Sequence, residues 1–287
     1  MAKIGFIGLG NMGLPMAQNL IKAGYAVTGV DINKSQVDQL VASGGTAASS
    51  VKDAIVGAEI VISMLPAGQQ VTDIYLGADG VLAHAAKGTL LIDCSTIDVA
   101  SARGAAAAAE KQGLAMLDAP VSGGPAGAEG ATLAIMAGGK PEVFERIKPL
   151  FACIGKTIVR VGDSGAGQIT KACNQLLLLV TAQWAAEALA LAKRCGVDPA
   201  VVREVLLGGI ASSRVLDVFG KRMVERNFAN GIDTRLYHKD LAIALGLVHE
   251  HGAAAPAASV TMQHINAAIG LGEGTSDLSI LIEVLEG

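Results

Sequence analysis

The chain has 287 residues, 51% of them hydrophobic and 17% charged, with a net charge of −4. That is enough apolar matter for two ordinary domains and far from the composition of a disordered chain. No basic run is present to hold nucleic acid. The four cysteines, Cys94, Cys153, Cys173 and Cys195, have neither CxxC nor disulfide-like spacing, which suits a reducing compartment and a cytoplasmic protein. The opening MAKIGFIGLG is an apolar run broken by glycines from the start, unlike a signal peptide.

Lys3–Ile7 reads as a buried parallel strand, followed at once by Gly8-Leu9-Gly10-Asn11-Met12-Gly13. A helix over Leu14–Ala23 follows, with Pro15 in its first turn and Gly24 as its stop. The strand Tyr25–Val30 then ends on Asp31. A lone GxGxxG is weak evidence, but here it has its strand, its helix and its acid, the pattern of a dinucleotide site. Gly8 permits the tight turn, Gly10 lets a pyrophosphate approach the backbone, and Gly13 lets helix and strand pack closely. Asp31 can accept from both ribose hydroxyls and would repel a 2′-phosphate, so NAD is expected over NADP. The same carboxylate could instead cap the helix starting near Lys34.

The alternation continues with a helix over Ser50–Val56, a strand over Glu59–Met64 closed by Leu65-Pro66, and a helix over Gln69–Tyr75. Next come a strand over Thr89–Asp93 followed by Cys94-Ser95-Thr96, a helix over Val99–Gln112 and a strand over Leu114–Leu117. Leu65-Pro66 and Ser95-Thr96 then lie on the carboxyl edge of an open parallel sheet, bordering the nicotinamide half of the cofactor. In Asp118-Ala119-Pro120-Val121-Ser122-Gly123-Gly124-Pro125, two glycines after a serine can aim backbone N–H groups at a substrate carboxylate. A strand over Thr132–Ala137, a helix from Glu142 and a strand over Lys156–Val161 complete this domain. The boundary is expected near Gly162–Gly165, giving a Rossmann domain over 1–163 and an all-helical domain over 164–287.

The stretch Gly165–Cys195 contains no Pro, and no Gly beyond Gly167. About thirty helical residues would run roughly 45 Å, enough to belong to both domains. Its longest uncharged stretch, Ala172–Ala186, contains Asn174, Gln175 and Gln183 and reads as too short and too polar to cross a bilayer. Lys171, Asn174 and Gln175 share one face by their spacing. That face is either an active site or a snorkelling lysine beside two surface amides. If the lysine is buried, its pKa falls and it can carry the proton that hydride transfer requires, with Asn174 holding the reacting oxygen or the carboxylate. Helices are expected over Pro199–Leu207, Val215–Glu225, His238–His251, Pro256–Gly270 and Leu278–Leu285. An all-helical domain of this kind commonly pairs with a copy of itself, giving a homodimer or homotetramer. Lys239 is either functional or a solvated surface lysine. His249 and His251 fall on different helical faces, so no metal site is expected.

Four blocks carry a family resemblance: GFIGLGNMGLPMAQNL, DAPVSGGPAGAEGATLAIMAGG, GAGQITKACNQ and HKDLAIAL. Together they resemble the β-hydroxyacid dehydrogenases of the 3-hydroxyisobutyrate dehydrogenase group. The resemblance implies a Rossmann domain, a long interdomain helix and a helical oligomerisation domain. It implies Lys171 as catalytic lysine with Asn174 beside it, and Ser122, Gly123 and Gly124 as the substrate loop. Cofactor contacts fall at Gly8–Gly13, Asp31, Met64, Leu65, Pro66 and Thr96, and Lys239 is placed near the nicotinamide. Many members carry two asparagines after the lysine where this chain has Asn174-Gln175, and Ile232, in the stretch 227–232, stands where an aromatic is common. The Asn-Gln pair and Gly208–Ser213 are more similar to the tartronate semialdehyde reductases, with Gln175 and Ser213 facing a small polar substrate. The alternatives are 3-hydroxyisobutyrate, a related semialdehyde (succinic or sulfolactaldehyde), and a dinucleotide-sensing module without turnover.

Overall fold

The computed structural model describes residues 2–229 and 231–286. The chain divides into two compact units, Met1–Lys171 and Ala172–Gly287. In chain order the first contains β1 (Lys3–Ile7), α1 (Gly13–Lys22), β2 (Ala26–Val30), α2 (Lys34–Ala42), β3 (Thr46–Ala47), α3 (Val51–Ile55), β4 (Ile60–Ser63), α4 (Gly68–Leu76), α5 (Val81–His84), β5 (Leu90–Asp93), α6 (Val99–Lys111), β6 (Ala115–Asp118), β7 (Val121–Ser122), α7 (Gly124–Glu129), β8 (Leu133–Gly138), α8 (Pro141–Phe151) and β9 (Gly155–Gly162). Then α9 (Ala166–Arg194) crosses the division, and α10 (Pro199–Gly208), α11 (Arg214–Glu225), α12 (Thr234–Glu250), α13 (Pro256–Gly270) and α14 (Leu281–Glu286) complete the second unit.

The sheet order is β3-β2-β1-β4-β5-β6-β8-β7, with β9 beside β8. From β3 through β6 every pairing is parallel. This is the doubly wound Rossmann arrangement, whose order reverses between β1 and β4. The expected parallel sheet has one exception at its far edge, where β8 runs antiparallel to both β6 and β7. The central strands are apolar throughout because helices cover both faces. Their side chains alternate accordingly. Ile4, Phe6, Ile60, Ile62, Leu90 and Ile92 enter one core cluster, while Ile7, Val61 and Leu91 enter the other.

The long helix α9 has 29 residues, about 43 Å at 1.5 Å per residue. Its buried positions Gln175, Leu179, Ala182, Ala186 and Leu189 recur every three or four residues, the stripe a helix turns toward a core. By length and composition α9 is in fact apolar enough to cross a membrane, contrary to the sequence expectation, but more than half of its most apolar window is buried inside the protein.

Local differences have local causes. The N-cap of α2 is Asn33, whose side chain accepts from the Ser35 N–H, so Asp31 is not that cap. Helix α12 begins four residues earlier than His238, because Thr234 is fully buried and bonds to the Ser276 carbonyl through both its N–H (2.9 Å) and its hydroxyl (2.7 Å). The expected helix over Leu278–Leu285 opens as a 3₁₀ turn, Leu278–Ile280, before α14.

Candidate active site

In the first unit, the carboxyl ends of β1 and β4 meet at the reversal of strand order. Gly8 turns away from β1 with φ +90, and a Cβ there would stand 2.3 Å from the Met64 carbonyl oxygen. A Cβ on Gly13 would stand 2.0 Å from the Gly8 oxygen, whereas one on Gly10 would meet nothing within 4 Å. Two glycines therefore close the turn and the third leaves an open approach to backbone. No side chain caps the start of α1, so its first turn can face an anion. The Leu9 side chain is fully buried and its N–H donates to Asp31 Oδ2 at 2.6 Å. Asp31 Oδ1 accepts from the Asn33 N–H at 2.7 Å. A carboxylate has about four acceptor positions, so these two bonds orient Asp31 and leave capacity for ribose hydroxyls. The residues present fit a dinucleotide.

The neighbouring strand ends are tied together by a buried polar cluster, of which the sequence reading singled out Ser95 but not Ser63, Tyr75 or Asp93. Asp93 Oδ1 accepts from Ser63 Oγ at 2.7 Å and from Ser95 Oγ at 2.5 Å. Ser95 Oγ in turn accepts from the Leu65 N–H at 2.8 Å. This fixes Met64-Leu65-Pro66 beside the loop that carries Thr96. Tyr75 OH lies 3.0 Å from Ser63 Oγ, and burial, together with the Asp93 charge, raises its phenol pKa.

The next strand end seats α9. Asp118, last residue of β6, accepts from the Gly165 N–H at 2.8 Å and the Gln168 N–H at 3.1 Å, so a residue far away in sequence caps the helix. The Gln168 side chain donates to the Ser95 carbonyl at 2.8 Å and accepts from the Ile97 N–H at 3.1 Å. The glycines at this helix start are explained by contact: a Cβ on Gly167 would sit 2.4 Å from the Met136 oxygen and 2.6 Å from the Asp118 oxygen. Burial pushes the Asp118 carboxyl up to about 6, against its backbone donors.

One turn beyond, Lys171 is 7% exposed, and its Nζ donates to the Val121 carbonyl at 2.8 Å. Lys171 is thus a buried group beside the Ser122–Gly124 loop rather than a snorkelling one. Gly123 and Gly124 have φ +143 and +63, conformations that side-chain-bearing residues rarely adopt. The loop is flanked by β7 and α7, short elements absent from the sequence reading.

In the second unit, Asn174, Gln175 and Lys239 form one hydrogen-bonded group. Asn174 Nδ2 donates to Gln175 Oε1 at 2.7 Å, and Gln175 Nε2 donates to Asp240 Oδ2 at 2.6 Å. Lys239 Nζ stands 3.1 Å from Asp240 Oδ1. Gln175 is 3% exposed, with both ends of its amide engaged inside the protein. Ser213 is the N-cap of α11 and accepts from the Leu216 N–H at 2.9 Å. Of the stretch 227–232, Asn230 lies outside the described residues, and Ile232 packs against the helical core. Asp118, Gln168 and Asp240 were missed as site-building residues. Only the spacing of Gln168 three residues before Lys171 could have drawn attention to one of them.

Residues 3–162 match the family model described as the NAD binding domain of 6-phosphogluconate dehydrogenase. Residues 165–285 match that described as NAD-binding of NADP-dependent 3-hydroxyisobutyrate dehydrogenase. The chain is 42% identical to the NAD-dependent L-serine dehydrogenase of Pseudomonas aeruginosa, over 100% of its own length and 98% of the relative's. It is 38% identical to the 2-hydroxy-3-oxopropionate reductase of Escherichia coli, over 99% and 97%. A solved structure of Mycobacterium tuberculosis 3-hydroxyisobutyrate dehydrogenase with L-serine superposes with a TM-score of 0.90 at 36% identity, covering 100% of both chains. Full-length identity at this level, on a sheet with the dinucleotide turn in place, makes the chain an oxidoreductase of the NAD-dependent β-hydroxyacid dehydrogenase family.

Proposed function

We propose that the chain interconverts a small β-hydroxy acid and its β-semialdehyde acid, with Lys171 as the proton carrier. One observation carries this reading: a lysine buried on the first turns of α9, with its ammonium 2.8 Å from Val121 O, beside a loop built on two positive-φ glycines. A bound nicotinamide cofactor would supply or take up the hydride. In reduction Lys171 Nζ gives its proton to the carbonyl oxygen, and in oxidation it takes the hydroxyl proton. Ser122, Gly123 and Gly124 hold the carboxylate, and Asn174, one turn along the helix from Lys171, holds the reacting oxygen. Asp31, with acceptor capacity remaining and a charge that disfavours a 2′-phosphate, selects NAD over NADP. Ile32, fully exposed directly after Asp31, offers apolar surface to a nucleobase. Leu65, Pro66 and Thr96 border the nicotinamide, and Lys239 joins them on the strength of the resemblance.

The substrate proposed first is tartronate semialdehyde, reduced to glycerate. Of the two residues that favour it in the sequence, Gln175 hydrogen-bonds to Asp240 and Ser213 caps a helix through its hydroxyl oxygen. Relatedness over full length to an L-serine dehydrogenase supports a second reading, oxidation of L-serine or 3-hydroxyisobutyrate. A kcat/KM panel over these acids decides: the highest value for tartronate semialdehyde sustains the first reading, and a higher value for either other acid overturns it. Lys171→Ala is expected to lower kcat by about 10²–10⁴-fold while cofactor binding persists; near-normal turnover would sink the mechanism.

The unit carrying the sheet is then the cofactor domain and the helical unit the substrate and assembly domain. Leu177, Trp184 and Leu191 are 72%, 56% and 63% exposed, and their spacing of two turns places them in one apolar stripe on α9. A second copy of the chain is the proposed occupant, in a homodimer or homotetramer. The cysteines are free thiols, which supports a reducing, cytoplasmic location.

A further inference from the structure

Gln175 raises a question that the proposed reaction leaves open: why a residue on the same helical face as Lys171 and Asn174 is 3% exposed and fully engaged within the protein. The answer follows from which atoms can donate. The Asp240 carboxylate only accepts. Gln175 must therefore turn its Nε2 toward Asp240 Oδ2, 2.6 Å away. That leaves Oε1 at the other end of the same planar amide, so the group opposite must donate, and Asn174 does so through Nδ2 at 2.7 Å. If Asn174 flipped, its Oδ1 would face Gln175 Oε1, oxygen against oxygen in a half-buried setting. One carboxylate on α12 thereby dictates the orientation of two successive amides on α9. Lys239, 3.1 Å from the other carboxylate oxygen, holds Asp240 in turn.

We propose that Asp240 and Gln175 are positioning residues that lock the Asn174 amide in a single orientation, so that the same atom of Asn174 meets the substrate in every turnover. This rests on the reading of Asn174 as the residue that holds the reacting oxygen. Gln175 then influences substrate choice only through Asn174, and a carboxylate at position 240 is required because an amide there could present either end. A neutral, isosteric Asp240→Asn lets the whole chain of amides invert. Gln175→Leu removes the link while nearly preserving its volume.

The test is a double-mutant cycle on the full chain with saturating cofactor, combined with hydrogen exchange of the Asn174 side-chain amide in protein labelled with ¹⁵N-asparagine. In the wild-type background, Asp240→Asn and Gln175→Leu are each expected to lower kcat about 10–100-fold, the scale of a misplaced catalytic contact. In the Asn174→Ala background each should change kcat less than about twofold, because residues acting through one partner are not additive. The Asn174 amide should exchange faster in both variants than in the wild type. An equal loss of kcat in both backgrounds overturns the proposal, since the residues would then act by another route or only on the fold. Unchanged amide exchange in Asp240→Asn and Gln175→Leu overturns the lock itself. Faster exchange together with full activity of Asn174→Ala overturns instead the reading of Asn174 on which the proposal rests.

Discussion

Replacing Gly167 by alanine tests how the lysine-bearing helix is seated. The added methyl would stand 2.4 Å from the Met136 oxygen, 2.6 Å from the Asp118 oxygen and 2.7 Å from Asp118 Oδ2. Two of these are backbone atoms of β8 and β6, so neither can swing aside. Overpacking of this kind costs about 1–3 kcal/mol. Displacing Asp118 also weakens its bonds from Gly165 and Gln168, and a hydrogen bond to a charged group contributes about 1.5–3 kcal/mol. The better helix propensity of alanine returns about 1 kcal/mol, leaving a net loss of about 2–5 kcal/mol. Gly104 is the internal control: it lies inside α6, a Cβ there meets nothing within 4 Å, and Gly104→Ala should stabilise by about 1 kcal/mol. Urea unfolding followed by circular dichroism reads the whole chain. The fluorescence of the single tryptophan, Trp184, reads the helical unit, so separate transitions can be told apart. With a urea slope of about 2 kcal/mol/M, the sheet unit of Gly167→Ala should unfold about 1–2.5 M earlier. Because Lys171 lies one turn further on, kcat should fall as well, in proportion to the shift of its ammonium from Val121. An unchanged midpoint with unchanged kcat would refute the seating of α9 on Asp118.

Asp31→Asn should lower kcat/KM with NAD by about 10–100-fold, the value of a charged hydrogen bond, and raise it with NADP; an unaltered ratio between the two cofactors contradicts the assigned role. Asp118, raised by burial from 3.8 to about 6, holds its proton more tightly folded than unfolded. Its contribution to stability is therefore full below pH 3.8 and is lost as pH rises through about 6, a difference of roughly 3 kcal/mol. Unfolding midpoints at several pH values should show that slope in the wild type and not in Asp118→Asn; parallel profiles would exclude it. Leu177→Glu combined with Trp184→Glu should reduce the mass measured by light scattering to that of the single chain, and an unchanged assembly would place the interface elsewhere.

The cofactor half of the site was legible in the residues because its signals are local. Strand, glycine turn, helix, strand and Asp31 follow one another without interruption, and Gly13 is required by Gly8 of the same turn. The periodicity of α9 likewise identified a long helix with Lys171, Asn174 and Gln175 on one face. Ser213, named in the sequence as a substrate residue, also opens α11 by accepting from the Leu216 N–H, a role the residues alone did not single out.

Sequence by itself therefore determined the order of the longer elements, the Rossmann class, the dinucleotide turn and the helical face on which the lysine stands. These depend on contacts between near neighbours and on periodicities that the backbone imposes. Tertiary structure alone decided what holds that lysine and its companion amide. Asp118 meets the start of α9 across 47 residues of chain, and Asp240 meets Gln175 across 65. Such partners leave no periodic trace, because a capping or orienting carboxylate can come from any strand or helix that the fold brings near. The reversal of β8 belongs to the same class, since strand direction is set by the element against which it pairs.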